Sequence, residues 1–203
     1  MSFHPPMEYA PARFQKSERQ LAEPGGPFAF TPENQAKFDA NVERYPPDQR
    51  KSAILYALYL AQHQQGYLTA AAMRHVAQQI RCTPAEVEDV VSYYTMFFTK
   101  PVGTYVLNVC RTLSCALRGA ERVTEELIAT LGIKPGETDP TGTFTLLEVE
   151  CLGACDRAPV VMVNDDWQEG LAPDQVRAFI DAIRARGRAA LTGCHLHKEG
   201  RRT

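Results

Sequence analysis

Along the first half of the chain apolar residues recur at three- and four-residue spacing, and past residue 100 they gather into short β-branched runs. The first pattern is that of helices buried along one face, the second that of strands. Thr31-Pro32-Glu33 starts a first helix, a capping hydroxyl followed by proline where a missing N–H does no harm. That helix runs to about Arg44 and stops before Pro46-Pro47. The chain restarts at Asp48 or Gln49, and Ile54, Leu55, Leu58, Tyr59 and Gln62 keep helical spacing until Gly66 ends the run. Thr69 caps a third helix carrying Met73, Val76, Ala77 and Ile80. Thr83-Pro84-Ala85-Glu86 is a capping box, in which the Thr oxygen takes an orphan N–H and Glu86 reaches back. It opens a fourth helix through Val87, Val90, Val91 and Tyr94.

After Lys100-Pro101-Val102-Gly103 the period changes. Tyr105 to Val109 reads as a strand, and residues 119–131 as a helix with Val123, Leu127 and Leu131 on one face. Phe144 to Val149 and Val160 to Val163 are further strands, and Asn164-Asp165-Asp166 is a hairpin turn into a short fourth strand around Trp167. Ala172-Pro173-Asp174 starts a last helix with Val176, Phe179, Ile180 and Ile183 facing the core. Two strands joined by a helix lie parallel with a right-handed crossover. The fold class is therefore α+β or α/β: an N-terminal helical bundle followed by a thioredoxin-like β-α-β-β-α domain. Four segments are expected: a Pro/Gly-rich extended arm (1–30), a helical docking domain (31–100), the thioredoxin-like domain (101–186) and a polar tail (187–203).

Composition narrows the function. At 44% hydrophobic and 23% charged the chain can build an ordinary buried core. A net charge of -2 with no dense Lys/Arg stripe excludes a nucleic-acid-binding face. The longest apolar run, Ile54 to Ala61, falls short of the ~18–20 residues of a membrane span, so no direct membrane insertion is expected. The N-terminus lacks a secretory apolar segment, and Glu8, Glu18 and Glu23 argue against a transit peptide. A reducing compartment is expected, with cysteines as metal ligands or core residues rather than disulfides. No G-x-G-x-x-G, P-loop, Ser/His/Asp or Cys/His arrangement stands in the chain, so no catalytic residue is assigned and no complete active site is expected.

Four of the six cysteines fall into two pairs. Four residues separate Cys110 from Cys115, three separate Cys151 from Cys155, and 35 lie between the pairs. Each pair follows the C-terminal end of an expected strand, and parallel neighbours open such loops on one edge, where these folds place their sites. A structural zinc site usually takes its thiolates from short knuckles, commonly with two intervening residues. A [2Fe–2S] rhomb is broader, takes two thiolates per iron and suits wider loops. Neither pair is the Cys-x-x-Cys of a redox dithiol. Spacing alone favours iron–sulfur and leaves zinc, or core and redox thiols, open. The double negative charge of such a cluster welcomes donors. Arg111, Arg118, Arg157, Thr112, Ser114 and the N–H groups of Gly153 and Ala154 are at hand. Cys82 is expected as a small buried residue, and Cys194-His195-Leu196-His197 as a polar chain end. Tyr93, Tyr94, Phe97 and Phe98 are expected in the core.

At these cysteines the chain resembles a known family. Val109-Cys110-Arg111-Thr112-Leu113-Ser114-Cys115-Ala116-Leu117-Arg118-Gly119-Ala120 and Glu148-Val149-Glu150-Cys151-Leu152-Gly153-Ala154-Cys155-Asp156-Arg157-Ala158-Pro159 look like the two signature segments of the 24-kilodalton subunit of respiratory complex I. Gln64-Gln65-Gly66-Tyr67-Leu68 and Tyr94-Thr95-Met96-Phe97 are similar too, and the likeness runs from about Phe30 to Arg186. The resemblance implies one [2Fe–2S] cluster held by Cys110, Cys115, Cys151 and Cys155 in a thioredoxin-like domain behind a helical one. It implies an electron-transfer subunit of NADH-quinone oxidoreductase, with FMN and NADH on a flavoprotein partner and an adjacent iron–sulfur subunit in the same peripheral arm. The expected location is the cytoplasmic side of a bacterial inner membrane, or the matrix side in a mitochondrion. Similar subunits serve NAD-dependent hydrogenases and formate dehydrogenases, and a stand-alone thioredoxin-like ferredoxin is a further alternative. Ser92-Tyr93 and Trp167 depart from the family's habit without touching the ligands.

Overall fold

The computed structural model describes residues 27–191. The chain divides between Pro101 and Val102 into two compact units, each with its own core.

The first unit holds α1 (Pro32–Val42), α2 (Ile54–Gln65), α3 (Ala70–Ile80) and α4 (Pro84–Tyr93), with a 3-10 helix at Pro47–Ala53 leading into α2. Thr31, Thr69 and Thr83 each accept a backbone N–H at the start of α1, α3 and α4, and Thr83 and Glu86 complete the capping box. Gly66 closes α2 in the left-handed region, φ 89, which a side chain would disfavour. Phe38, Leu58, Leu68, Val76 and Val87 are wholly buried in the helical core. Each such side chain contributes roughly 1.5–3 kcal/mol through burial.

Three expectations change here. The end of the arm is not free: Phe28 and Phe30 pack on the helices, and the Phe30 N–H donates to His75 Nε2 at 3.3 Å. Gln64 ties the same stretch down, accepting from Thr31 N–H and donating to the Ala29 carbonyl. Tyr93 is 80% exposed rather than in the core, because α4 ends on it and the chain turns away; Phe97 is buried and Tyr94 packs against the core. Cys82 is only half-buried.

The second unit is a four-stranded sheet in the order β2-β1-β3-β4, from β1 (Tyr105–Cys110), β2 (Phe144–Val149), β3 (Val160–Val163) and β4 (Asp166–Glu169). It also holds α5 (Leu113–Leu117), α6 (Ala120–Leu131) and α7 (Val176–Arg186). The strands β1 and β2 run parallel in register from Tyr105↔Phe144 to Cys110↔Val149, as two strands joined through a helix require. The strand β3 returns antiparallel to β1 and pairs antiparallel with β4. The turn between them is fastened to β1: Asn164, at φ 53, accepts from the Val106 N–H and donates to the Thr104 carbonyl. Alternate residues of three strands (Leu107 and Val109, Phe144 and Leu146, Val161 and Val163) share one core with α6 and α7. The thioredoxin-like β-α-β-β-α order is present, with α5 added before α6.

The tail begins later than the sequence suggests. Residues 187–190 form a 3-10 helix, Ala190 is buried, and Leu191 packs against the sheet core, because two small apolar residues follow the arginine-rich stretch. The Cys194-His195-Leu196-His197 segment and residues 1–26 of the arm lie outside the described residues.

Candidate metal centre

Register places the cysteines. Cys110 is the last residue of β1 and stands opposite Val149, the last of β2; Cys151 follows two positions on. The Arg111 N–H still donates to the Val149 carbonyl at 3.0 Å, so both chains leave the sheet together. Cys115 is carried back by α5, and α5 lies against the short turn Cys155–Arg157. Parallel neighbours thus bring all four cysteines to one edge. Cys110, Cys115 and Ala154 are buried in a small cluster with Val160, against which Leu152 and Trp167 pack.

The sulfurs stand as two pairs. Cys151 Sγ and Cys155 Sγ are 3.9 Å apart and exposed, while Cys110 and Cys115 are buried and hydrogen-bonded to each other. Across the pairs, the charges of Cys110 and Cys155 reach the thiols of the opposite loop. Two thiolates for each of two irons is the arrangement this donor set fits.

Backbone and hydroxyl donors surround the sulfurs. Gly153, at φ 78, turns its N–H onto Cys151 Sγ at 3.3 Å. The Thr112 hydroxyl lies 3.2 Å from Cys110 Sγ. Burial pushes the Cys110 thiol up, but hydrogen bonds from the Thr112 hydroxyl and the N–H groups of Thr112 and Leu152 outweigh it and hold the thiol below its ordinary value. Burial and the neighbouring Cys110 push Cys115 up to about 11, against a donor at Val160. Cys155 is raised by its hydrogen bond and charge contact with Cys151, and Ser114 opposes this from the other loop. Each loop therefore supplies a donor to a sulfur of the other. Without a bound cation four thiolates so close together repel; two ferric ions relieve that repulsion.

The arginines stand aside. Arg111 is 60% exposed, 4.0 Å from Glu148, and Arg157 is half exposed, 3.3 Å from Asp156. Arg118 is exposed. The Leu152 and Val160 donors and the packing of Trp167 are not foreseeable from the sequence pattern. Their only signal there is adjacency to a cysteine or to a strand start.

Residues 38–184 match the family model for the thioredoxin-like [2Fe-2S] ferredoxin. An NADH-quinone oxidoreductase subunit from Rickettsia bellii is 40% identical over 158 residues, 77% of this chain and 95% of that protein. A subunit of the NADH-quinone oxidoreductase of Thermus thermophilus is 38% identical over 157 residues, 77% of this chain and 87% of that one. Among solved structures, an NAD+-reducing [NiFe]-hydrogenase in its H2-reduced state aligns with a TM-score of 0.57 at 22% identity. That alignment covers 64% of this chain and 22% of the hydrogenase chain, and it speaks for the fold alone.

Proposed function

The chain belongs to the thioredoxin-like [2Fe–2S] ferredoxin family, and from that premise we propose that it is the electron-transfer subunit beside the NADH-oxidising flavoprotein of an NADH-quinone oxidoreductase. The observation that carries the reading is the meeting of two cysteine pairs at the ends of parallel β1 and β2. Cys110 and Cys115 would hold one iron, and Cys151 and Cys155 the other. When bound, the cluster supplies a centre that accepts and returns one electron at a time.

The chain's own residues do the rest. Buried Cys110 and Cys115 keep water from one side, while exposed Cys151 and Cys155 mark the side a partner can approach. Donors at Thr112, Leu152 and Val160 favour the thiolate form the metal requires. NADH gives up a two-electron hydride, so a two-to-one converter must stand between it and a one-electron centre. This chain carries no dinucleotide fingerprint, and that converter, FMN, belongs with NADH on the flavoprotein. The helical unit serves as the docking element, and exposed Tyr93 is a contact it can offer. The adjacent iron–sulfur subunit is the second neighbour. Among the described residues no helix is long and apolar enough to cross a membrane. The place proposed for the chain is the peripheral arm, on the cytoplasmic side of a bacterial inner membrane.

The test is an assay of the isolated, cluster-loaded chain with NADH and a ferricyanide-type acceptor, before and after addition of the flavoprotein subunit. Turnover is expected only with the partner. Robust turnover by the chain alone would reveal a nucleotide site on it and overturn the reading.

A further inference from the structure

Among the described residues four threonines stand at helix N-caps, and one behaves differently. Thr31, Thr69 and Thr83 accept the backbone N–H of Asn34, Ala72 and Glu86 at 3.2, 3.1 and 3.3 Å. Thr112, at the start of α5, has the same extended backbone (φ -82, ψ 169) but makes no side-chain capping bond. Its hydroxyl is 3.2 Å from Cys110 Sγ instead. A thiolate ligand has no proton to give, so in the metal-bound chain the hydroxyl is the donor.

We propose that Thr112 is a positioning residue, whose hydroxyl is diverted from capping α5 to hold the Cys110 sulfur and ease reduction of the metal centre. This rests on the reading of Cys110 as a ligand. The bond sits beside a cysteine that is 2% exposed, where water screens little and a hydrogen bond to charge is strong. Two ferric ions, two sulfides and four thiolates carry a double negative charge, and an added electron increases it. A donor on a ligand sulfur therefore stabilises the reduced form more than the oxidised one and raises the potential. Arg111 and Arg157, exposed and engaged by carboxylates, are poorly placed to do this.

The experiment uses the full chain loaded with iron and sulfide and titrated with a dithionite-type reductant, one electron per cluster. The midpoint is read by visible absorption, and melting is followed in parallel. Thr112→Val keeps the β-branched shape without the hydroxyl, Thr112→Ser keeps the hydroxyl, and Cys110→Ala tests the ligand. The expected result is a Thr112→Val midpoint more negative by about tenfold in the reduction equilibrium, ~59 mV for a one-electron couple. Thr112→Ser should restore the wild-type midpoint. A lowered melting temperature with an unchanged midpoint would mark an ordinary helix-start role and overturn the proposal. Should Thr112→Val not load, Thr112→Ala is the second hydroxyl-free chain. If both fold with wild-type helicity yet stay unloaded while Thr112→Ser loads, the hydroxyl is required at the sulfur, in support. If Thr112→Ser fails with them, side-chain shape rather than the hydroxyl is what matters, and the proposal falls. Full iron and sulfide in Cys110→Ala would overturn the ligand reading and this inference together. An unchanged midpoint in Thr112→Val, with Cys110→Ala empty, would overturn this inference alone.

Discussion

Gly103 lies just before β1, and its replacement by alanine probes the strand pair that brings the cysteine loops together. A Cβ there would sit 2.7, 2.8 and 2.9 Å from the Phe144 carbonyl carbon, nitrogen and Cα. Carbon contacts are comfortable at about 3.5–4.0 Å, so the two segments must part by roughly 1 Å. The atoms in the way are β2 backbone, so no rotamer change relieves the clash. Separation also stretches the 2.7 Å bond from the Gly103 N–H to Thr145 Oγ1 and the 2.8 Å bond from the Tyr105 N–H to the Thr143 carbonyl. Overpacking of this kind costs about 1–3 kcal/mol and a weakened hydrogen bond about 1 kcal/mol more. For a unit of this size each kcal/mol lowers the melting temperature by about 4–8 °C, giving a fall of roughly 8 °C or more. The assay is thermal unfolding of the cluster-loaded chain, followed by circular dichroism and by absorption of the metal centre. Gly103 is at the opposite end of β1 from Cys110, so absorption before melting should be unchanged. Unfolding within about 1 °C of wild type would refute the claim that β1 and β2 close on this glycine.

Two further outcomes follow from the surroundings of particular side chains. Burial lowers the His75 pKa, and the neutral ring accepts the Phe30 N–H between the Phe28 and Phe30 rings. A folded value below the unfolded 6.5 means full stability above that pH and a loss as pH falls through the lowered value. Melting curves between about pH 7.5 and 5 should therefore show a fall that is smaller in His75→Gln; parallel curves would contradict it. Arg111→Gln and Arg157→Gln should each move the midpoint potential less than Thr112→Val, because solvent screens exposed guanidinium groups already engaged by Glu148 and Asp156. A larger shift from either would show that the arginine turns onto the sulfurs.

Local rules with a large signal are readable from the chain. Thr31, Thr69 and Thr83 cap the helices that begin after them, and the parallel pairing of β1 with β2 follows from the helix between them. What escapes is what local pattern does not encode. The helix α5 has five residues, too few for a period, and Leu113 and Leu117, both about three-quarters exposed, give it no buried apolar stripe to read. Its threonine signals a cap that the side chain does not make, since a nearby sulfur competes for the hydroxyl. Phe28 and Phe30 sit in a Pro/Gly-rich stretch whose composition hides that two rings are enough to anchor it on α3. Arg184, Arg186 and Arg188 make the chain beyond α7 look solvated, although Ala190 and Leu191 return to the sheet core. Spacing at two strand ends favours iron–sulfur at the cysteines, and the family resemblance supplies the four-ligand set. The hydrogen bonds that link each loop to the other's sulfurs depend on the fold around them.

Which cysteines hold the metal is tested most directly by iron and acid-labile sulfide measured per chain. The wild-type chain and Cys82→Ala should both contain iron and sulfide at the level of one [2Fe–2S] cluster, because Cys82 lies in the helical unit. Cys155→Ala should lose most of both. Full iron and sulfide in Cys155→Ala, together with their loss from Cys82→Ala, would contradict the assignment.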